Sequence, residues 1–159
     1  MNTIHNFKIE GLKGNEIDFS TFKGKKILLV NVASECGLTP QYAQLEELYE
    51  AHADKIVVVG CPSNNFGAQE PGSNEQISNF CSMKYGISFP MTTKIEVKGA
   101  GIHPLYQFVT QKEKNGVEDS EVKWNFQKYV FDENGVLIKV IAPMTQPADD
   151  EVLTALGIL

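Results

Sequence analysis

Two short apolar runs, Ile27-Leu28-Leu29-Val30 and Ile56-Val57-Val58-Val59, carry no polar alternation. Runs of this kind suit strands covered on both faces. Between them Tyr42, Leu45, Leu48 and Tyr49 recur at helical spacing, with Gln44, Glu46, Glu47 and Glu50 on the opposite side, so the spacing predicts an amphipathic helix. Strand, helix, strand in this order implies a parallel pair joined by a right-handed crossover.

The flanking patterns are shorter. Phe7 to Glu10 and Glu16 to Phe19 alternate about a Gly-rich turn and predict an N-terminal hairpin. Ser73 and Gln76 form a capping box for a helix carrying Ile77, Phe80, Cys81 and Tyr85 and ended by Gly86. Thr93 to Val97 alternates as an edge strand would, Leu105 to Val109 opens another helix, and Lys112 to Ser120 is a polar loop. Asn134-Gly135 between alternating runs is a strong hairpin signal, and Ala148 to Leu156 closes the chain as a helix. The fold class expected is α/β, a central sheet with helices on both faces and an N-terminal β-hairpin, with residues 1–159 forming a single domain.

Composition narrows the possible functions. A net charge of −6 speaks against nucleic acid and against stable association with an anionic membrane. No apolar run exceeds about seven residues, roughly a third of a membrane span, and the first residues do not read as a secretory signal, so a cytoplasmic setting is expected. Cys36, Cys61 and Cys81 are widely spaced and odd in number, which is no disulfide scaffold. His5, His52 and His103 show no ligand spacing, and neither a metal nor another cofactor is expected.

Cys36 stands apart. It lies in the turn Asn31-Val32-Ala33-Ser34-Glu35-Cys36-Gly37-Leu38-Thr39-Pro40, between the first buried run and the helix. Thr39 suits the N-cap and Pro40 the first helical position, which would set Cys36 at the positive end of a helix dipole, where a thiolate is favoured. Its polar neighbours predict a cysteine that is not buried among apolar groups. The loop Ser63 to Gly72 leaves the sheet at the same edge, where parallel sheets keep their sites. Glu35 and Glu70 are expected to be solvated, and Cys61, at the end of a buried strand, to serve packing.

Three segments together resemble the glutathione peroxidase family: Asn-Val-Ala-Ser-x-Cys-Gly, Asn-x-Phe-Gly-x-Gln-Glu-Pro-Gly and Lys-Trp-Asn-Phe. They occur in the family's order over nearly the whole chain. The resemblance implies a thioredoxin-like fold and a peroxidatic role for Cys36, with Gln69, Trp124 and Asn125 completing a tetrad. Cys81 is similar to the resolving cysteine of the thioredoxin-dependent branch. The chain departs from the family where Cys61 replaces a phenylalanine and Ser63 a cysteine. The loop before Trp124 lacks the extra segment of tetrameric members, which implies a monomer or weak dimer.

On this resemblance the chain is expected to reduce hydrogen peroxide and organic or lipid hydroperoxides, in defence against oxidative stress. Cys36 would become a sulfenic acid, Cys81 would close a Cys36–Cys81 disulfide after its helix shifts, and thioredoxin would reduce that bond. A free cysteine is about 3% ionised at neutral pH, so full ionisation gains only about 30-fold. Most of the rate must then come from donors aimed at the departing oxygen, and Gln69, Trp124 and Asn125 each carry an N–H. A one-cysteine, glutathione-dependent peroxidase and a peroxide sensor that oxidises a partner protein are the alternatives.

Overall fold

The computed structural model describes residues 3–159. Along the chain run β1 (Lys8–Glu10), β2 (Glu16–Asp18), β3 (Lys26–Val32), α1 (Gln41–His52), β4 (Ile56–Pro62), α2 (Asn74–Phe80), α3 (Pro104–Thr110), α4 (Lys112–Asn115), β5 (Lys128–Phe131), β6 (Leu137–Ile141) and α5 (Asp150–Ala155). β1 and β2 pair as the expected hairpin. The other strands form one sheet in the order β4-β3-β5-β6, with β3 parallel to β4 and the remaining pairs antiparallel.

Side chains alternate across β3 and β4 and so build two cores. Ile27, Leu29, Val57, Val59 and Cys61 face one cluster, with the hairpin's Ile9 and Ile17 and Leu105, Tyr106, Phe108 and Val109 of α3. Leu28, Val30, Val32, Ile56 and Val58 face the other, with Tyr42, Leu45 and Leu48 of α1, Ile77 of α2, and Val152 of α5. Each fully buried Leu, Val or Ile here contributes roughly 1.5–3 kcal/mol relative to exposure, which is why both faces of these two strands are covered.

Several local expectations change. The stretch Thr93 to Val97 forms no strand, because its donors are divided among unlike partners: Lys94 N–H goes to Asn74 Oδ1 at 2.9 Å and Val97 N–H to Asn65 Oδ1 at 2.7 Å, while Thr93 and Ile95 donate to the Glu10 and Pro62 carbonyls of two different strands. The polar segment after α3 contains the short helix α4. The capping box of α2 is present, but the helix does not run evenly to Gly86: Cys81–Tyr85 is wound wider, as a π turn. Gly86 stops that turn at φ +59, a left-handed conformation that costs a glycine least.

Thr39 does not cap α1. The helix begins at Gln41 without a side-chain cap, and Thr39 closes the preceding turn instead. Its Oγ1 donates to the Ala33 carbonyl at 2.7 Å and accepts the Cys36 N–H at 2.9 Å.

Candidate active site

The turn between β3 and α1 is built around that threonine. With Thr39 Oγ1 bridging Ala33 and Cys36, the cysteine is held at the carboxyl end of β3. The Leu38 N–H donates to Cys36 Sγ at 3.3 Å. Cys36 is only 9% exposed and packs in the same apolar cluster as Val32, Ala33 and Tyr42. Its polar neighbours in sequence are no guide to its burial: Glu35 and Gly37 are exposed, but Thr39 is itself buried, and the thiol sits at the rim of the core.

The loop after β4 is tied to this turn by its backbone, Glu35 N–H donating to the Gln69 carbonyl at 3.0 Å. Side chains shape the loop. Glu70 N–H donates to Asn64 Oδ1 at 2.9 Å, and Lys94 Nζ donates to the Gly72 carbonyl at 2.7 Å and to that of Glu70 at 3.3 Å. Lys94 carried no sequence signal for this role, since its partners lie more than twenty positions away.

A third segment, Trp124-Asn125-Phe126, is hung on β3 by Asn31. Asn31 Nδ2 donates to the Trp124 carbonyl at 3.1 Å, and the Asn31 carbonyl accepts the Phe126 N–H at 2.6 Å. Phe126 sits at φ +70, uncommon for a bulky residue, and such a conformation costs of order 1–3 kcal/mol that surrounding packing must supply. Phe126 is fully buried and its ring meets Tyr42 edge-on, with centroids 5.5 Å apart.

Asn125 and Gln69 meet here. Asn125 Nδ2 donates to Gln69 Oε1 at 3.0 Å and to the Phe66 carbonyl at 3.4 Å. Both of its amide hydrogens are thereby directed to protein acceptors. Because Gln69 Oε1 is taken, its Nε2 is the group left to donate elsewhere. Trp124 lies over Phe66, with centroids 5.7 Å apart, and is 37% exposed rather than in the core. Gly67, at φ +65, lets the Trp124 and Gln69 side chains close in: a Cβ there would stand 3.2 Å from the Trp124 ring and 3.4 Å from Gln69.

Glu70 corrects an expectation, being 1% exposed. Burial raises its carboxyl pKa, against the pull of Ser34 and the more distant Lys94. Its side chain lies on the side of α2, where Ser34, Glu35, Pro71, Ile77 and Phe80 wall a groove of about 380 Å³. Glu35 is exposed, as expected.

Cys81 is 3% exposed and begins the π turn, in the same apolar cluster as Cys36. Burial pushes its thiol up to about 11, the Tyr42 hydroxyl drawing it down and the Glu70 charge adding to the rise. Cys61 is fully buried on the opposite face of the sheet, and burial lifts it to about 12 against the pull of the Thr92 and Tyr106 hydroxyls. All three cysteines are free thiols. Among the described residues no cluster of His, Cys, Asp or Glu could hold a metal, and no helix is long and apolar enough to cross a membrane.

Residues 4–110 match the family model described as glutathione peroxidase. The chain is 40% identical over 158 residues to glutathione peroxidase-like peroxiredoxin 2 of Saccharomyces cerevisiae, covering 98% of each. It is 41% identical to hydroperoxy fatty acid reductase gpx1 of Synechocystis, covering 95% of this chain and 92% of the relative. A solved structure described as Trgpx in apo form superposes with a TM-score of 0.74 at 35% identity, over 99% of this chain and 97% of the other. A thioredoxin-family thiol:disulfide interchange protein from Chlorobium tepidum, 20% identical, shares the fold over 95% of this chain and 93% of its own, with a TM-score of 0.63.

Proposed function

Since this chain belongs to the glutathione peroxidase family, has a thioredoxin-like fold and is a peroxidase of the oxidoreductase class, we propose that Cys36 attacks the hydroperoxide and that Gln69 is the donor aimed at the departing oxygen. The contact that supports this is the Asn125–Gln69 hydrogen bond, which leaves Gln69 Nε2 as the free donor on a loop bonded to Glu35, the neighbour of Cys36. Asn125 acts through Gln69, and the half-exposed Trp124 indole contributes the second N–H. The whole chain, residues 1–159, acts as one domain.

The chemistry is a displacement at oxygen. The Cys36 sulfur bonds to the nearer peroxide oxygen, the O–O bond breaks, and the departing alkoxide or hydroxide takes a proton to leave as alcohol or water. Preorganised donors at that oxygen are worth about 10²–10³ in rate each. Hydrogen peroxide and organic hydroperoxides are both substrates. The groove beside Ser34 and Glu35, with Pro71, Ile77 and Phe80 on its walls, offers an apolar surface to an alkyl or acyl chain. The likeness to the Synechocystis protein named as a hydroperoxy fatty acid reductase supports that substrate class.

Cys81 resolves the Cys36 sulfenic acid as a disulfide, and thioredoxin reduces it. Both thiols belong to one apolar cluster, and Cys81 sits on a π turn, a winding that recurs at functional sites. The protein works in defence against oxidative stress in the cytoplasm. Steady-state hydroperoxide reduction with thioredoxin or glutathione, for the wild type and Cys81→Ser, tests the cycle. Thioredoxin-driven turnover that disappears in Cys81→Ser is expected. Glutathione-driven turnover indifferent to Cys81 would return the chain to a one-cysteine mechanism.

A further inference from the structure

One face of α1 holds the segment that follows Cys81. Tyr42 packs against Tyr85, with ring centroids 5.4 Å apart, and Tyr49 meets Phe89 edge-on at 6.1 Å. Between them Glu46 accepts two hydrogen bonds from Ser88, the N–H to Oε1 at 2.8 Å and the hydroxyl to Oε2 at 2.5 Å. Positions 42, 46 and 49, four and then three residues apart, share one side of the helix. Glu46 is only 5% exposed, and no lysine or histidine forms an ion pair with it among the described residues. A buried carboxylate needs donors, and Ser88 supplies two, which makes the contact charge-assisted and strong.

The stretch just before Ser88 is held differently. Among the described residues, Ser78 to Ile87 make hydrogen bonds only within α2 and the π turn, the Ile87 N–H donating to the Cys81 carbonyl at 3.2 Å. Packing ties this stretch to its surroundings, and that packing is incomplete. A cavity of about 300 Å³ separates Ser78, Cys81 and Ser82 on one wall from Leu12, Tyr49 and Met91 on another. Beyond Ser88 the backbone is fixed again, Gly60 N–H donating to the Pro90 carbonyl at 3.0 Å and Leu12 N–H to the Met91 carbonyl at 2.9 Å. Ser88 therefore stands at the boundary between a stretch that can shift and one that cannot. Glu46 holds that boundary.

Building on the two-cysteine cycle proposed above, we infer that Glu46 is a positioning residue of the resolving step: through Ser88 it latches the Cys81 turn in its closed place. Cys81 must leave that place to bond with Cys36, since a disulfide needs Cα atoms within about 7 Å. The chain has the reach. Four residues from Ile77 to Cys81 span about 6 Å when helical and about 13 Å when extended, so the turn can unwind while the buried Ile77 stays put. Moving Cys81 breaks its bond from the Ile87 N–H. The Ser88 N–H belongs to the planar peptide unit that begins at the Ile87 carbonyl, so a rotation at Ile87 carries that N–H off Glu46. In the step itself the Cys81 sulfur bonds to the Cys36 sulfur as the Cys36 S–O bond breaks. The hydroxide released takes the thiol's proton and leaves as water, the oxidant being the hydroperoxide already consumed in making the sulfenic acid.

The test reads opening and chemistry separately. With Cys36→Ser and Cys61→Ala leaving Cys81 as the sole thiol, its alkylation by iodoacetamide in the folded chain reports how often the turn opens. Glu46→Ala speeds that alkylation about tenfold or more, and Ser88→Ala, which loses the hydroxyl but keeps the N–H, about fivefold. Glu46→Gln keeps a carbonyl oxygen for the Ser88 N–H and falls between wild type and Glu46→Ala. Ser88 is exposed, so its variant carries the test should Glu46→Ala not fold. In the chain with all three cysteines, reduced protein is mixed rapidly with excess hydrogen peroxide and quenched. Cys36 sulfenic acid is then trapped and the Cys36–Cys81 disulfide quantified by mass spectrometry. Disulfide formation accelerates in the order found for alkylation, while Cys36 oxidation keeps its wild-type rate. Alkylation or disulfide rates that stay at wild-type values, with urea melts recording only a loss of stability, make the contact an ordinary structural tie and overturn the inference. A wild type that forms no Cys36–Cys81 disulfide overturns the two-cysteine cycle itself, and the resolving role of Glu46 with it, even where Glu46→Ala still speeds alkylation.

Discussion

Removing the Asn125 amide should damage the peroxide step only as long as Gln69 is there to be positioned. Asn125 is fully buried, and its bond to Gln69 Oε1 at 3.0 Å is what leaves Gln69 Nε2 free to donate. Gln69→Ala deletes the donor and is expected to cost about 10²–10³ in the rate of Cys36 oxidation, or about 2.7–4 kcal/mol. Asn125→Ala leaves the donor but releases its orientation. A hydrogen bond is worth about 0.5–1.5 kcal/mol and an orphaned buried acceptor costs about 1–3 kcal/mol, so a loss of roughly 10- to 100-fold is expected. In the double variant the Asn125 effect shrinks to within about 0.5 kcal/mol, because its object is gone. Stopped-flow oxidation by hydrogen peroxide supplies the four rate constants, and urea melts establish that each variant is folded. Effects that multiply, with no coupling between the sites, would refute the assignment of Asn125 as a positioning residue.

Two further outcomes follow from the thiol and the amine buried elsewhere. Cys61→Ala should cost about 1–2 kcal/mol of stability and leave peroxidase turnover unchanged, measured by urea melts and steady-state assay. Lys128 is wholly buried, its Nζ donating to the carbonyls of Pro143, at 3.0 Å, and Thr145, and desolvation lowers it to about 7 against the pull of Asp149 and Glu151. Above that value the folded chain has released a proton that the unfolded chain still holds up to its ordinary 10.5, so rising pH favours the folded state across this window. The stability of the wild type relative to Lys128→Met should therefore increase from about pH 7 to about pH 10, and urea midpoints at either end that move in parallel would contradict it.

The parallel strands β3 and β4, α1 and the Asn134-Gly135 hairpin were legible because their signals are local: unbroken apolar runs, helical spacing and a turn dipeptide. Thr93 to Val97 alternates like a strand, yet its donors are split between side chains of Asn74 and Asn65 and carbonyls of Glu10 and Pro62, all more than nineteen residues away, which no window along the chain contains. Thr39 was read as a cap from its neighbours, whereas its partner Ala33 lies behind it, just past the end of β3. Glu70 reads as a loop carboxylate and is buried by groups from the Cys36 turn and α2. The segments expected to make the site were visible as motifs, but not the division of labour within it. That Asn125 holds Gln69, 56 residues earlier, instead of sharing its task is a fact of tertiary contact.

The alternation along β4 has a consequence for fidelity. Cys61 projects to one side of the sheet, while Cys36 and Cys81 belong to the core on the other. The sheet thus stands as a wall between the spare thiol and the two expected to exchange. An oxidised Cys36 awaiting resolution meets one internal thiol on its own side, and a mispaired bond to Cys61 would require the barrier strands to part. A chain that runs on sulfur chemistry can in this way carry an extra cysteine without short-circuiting its own cycle.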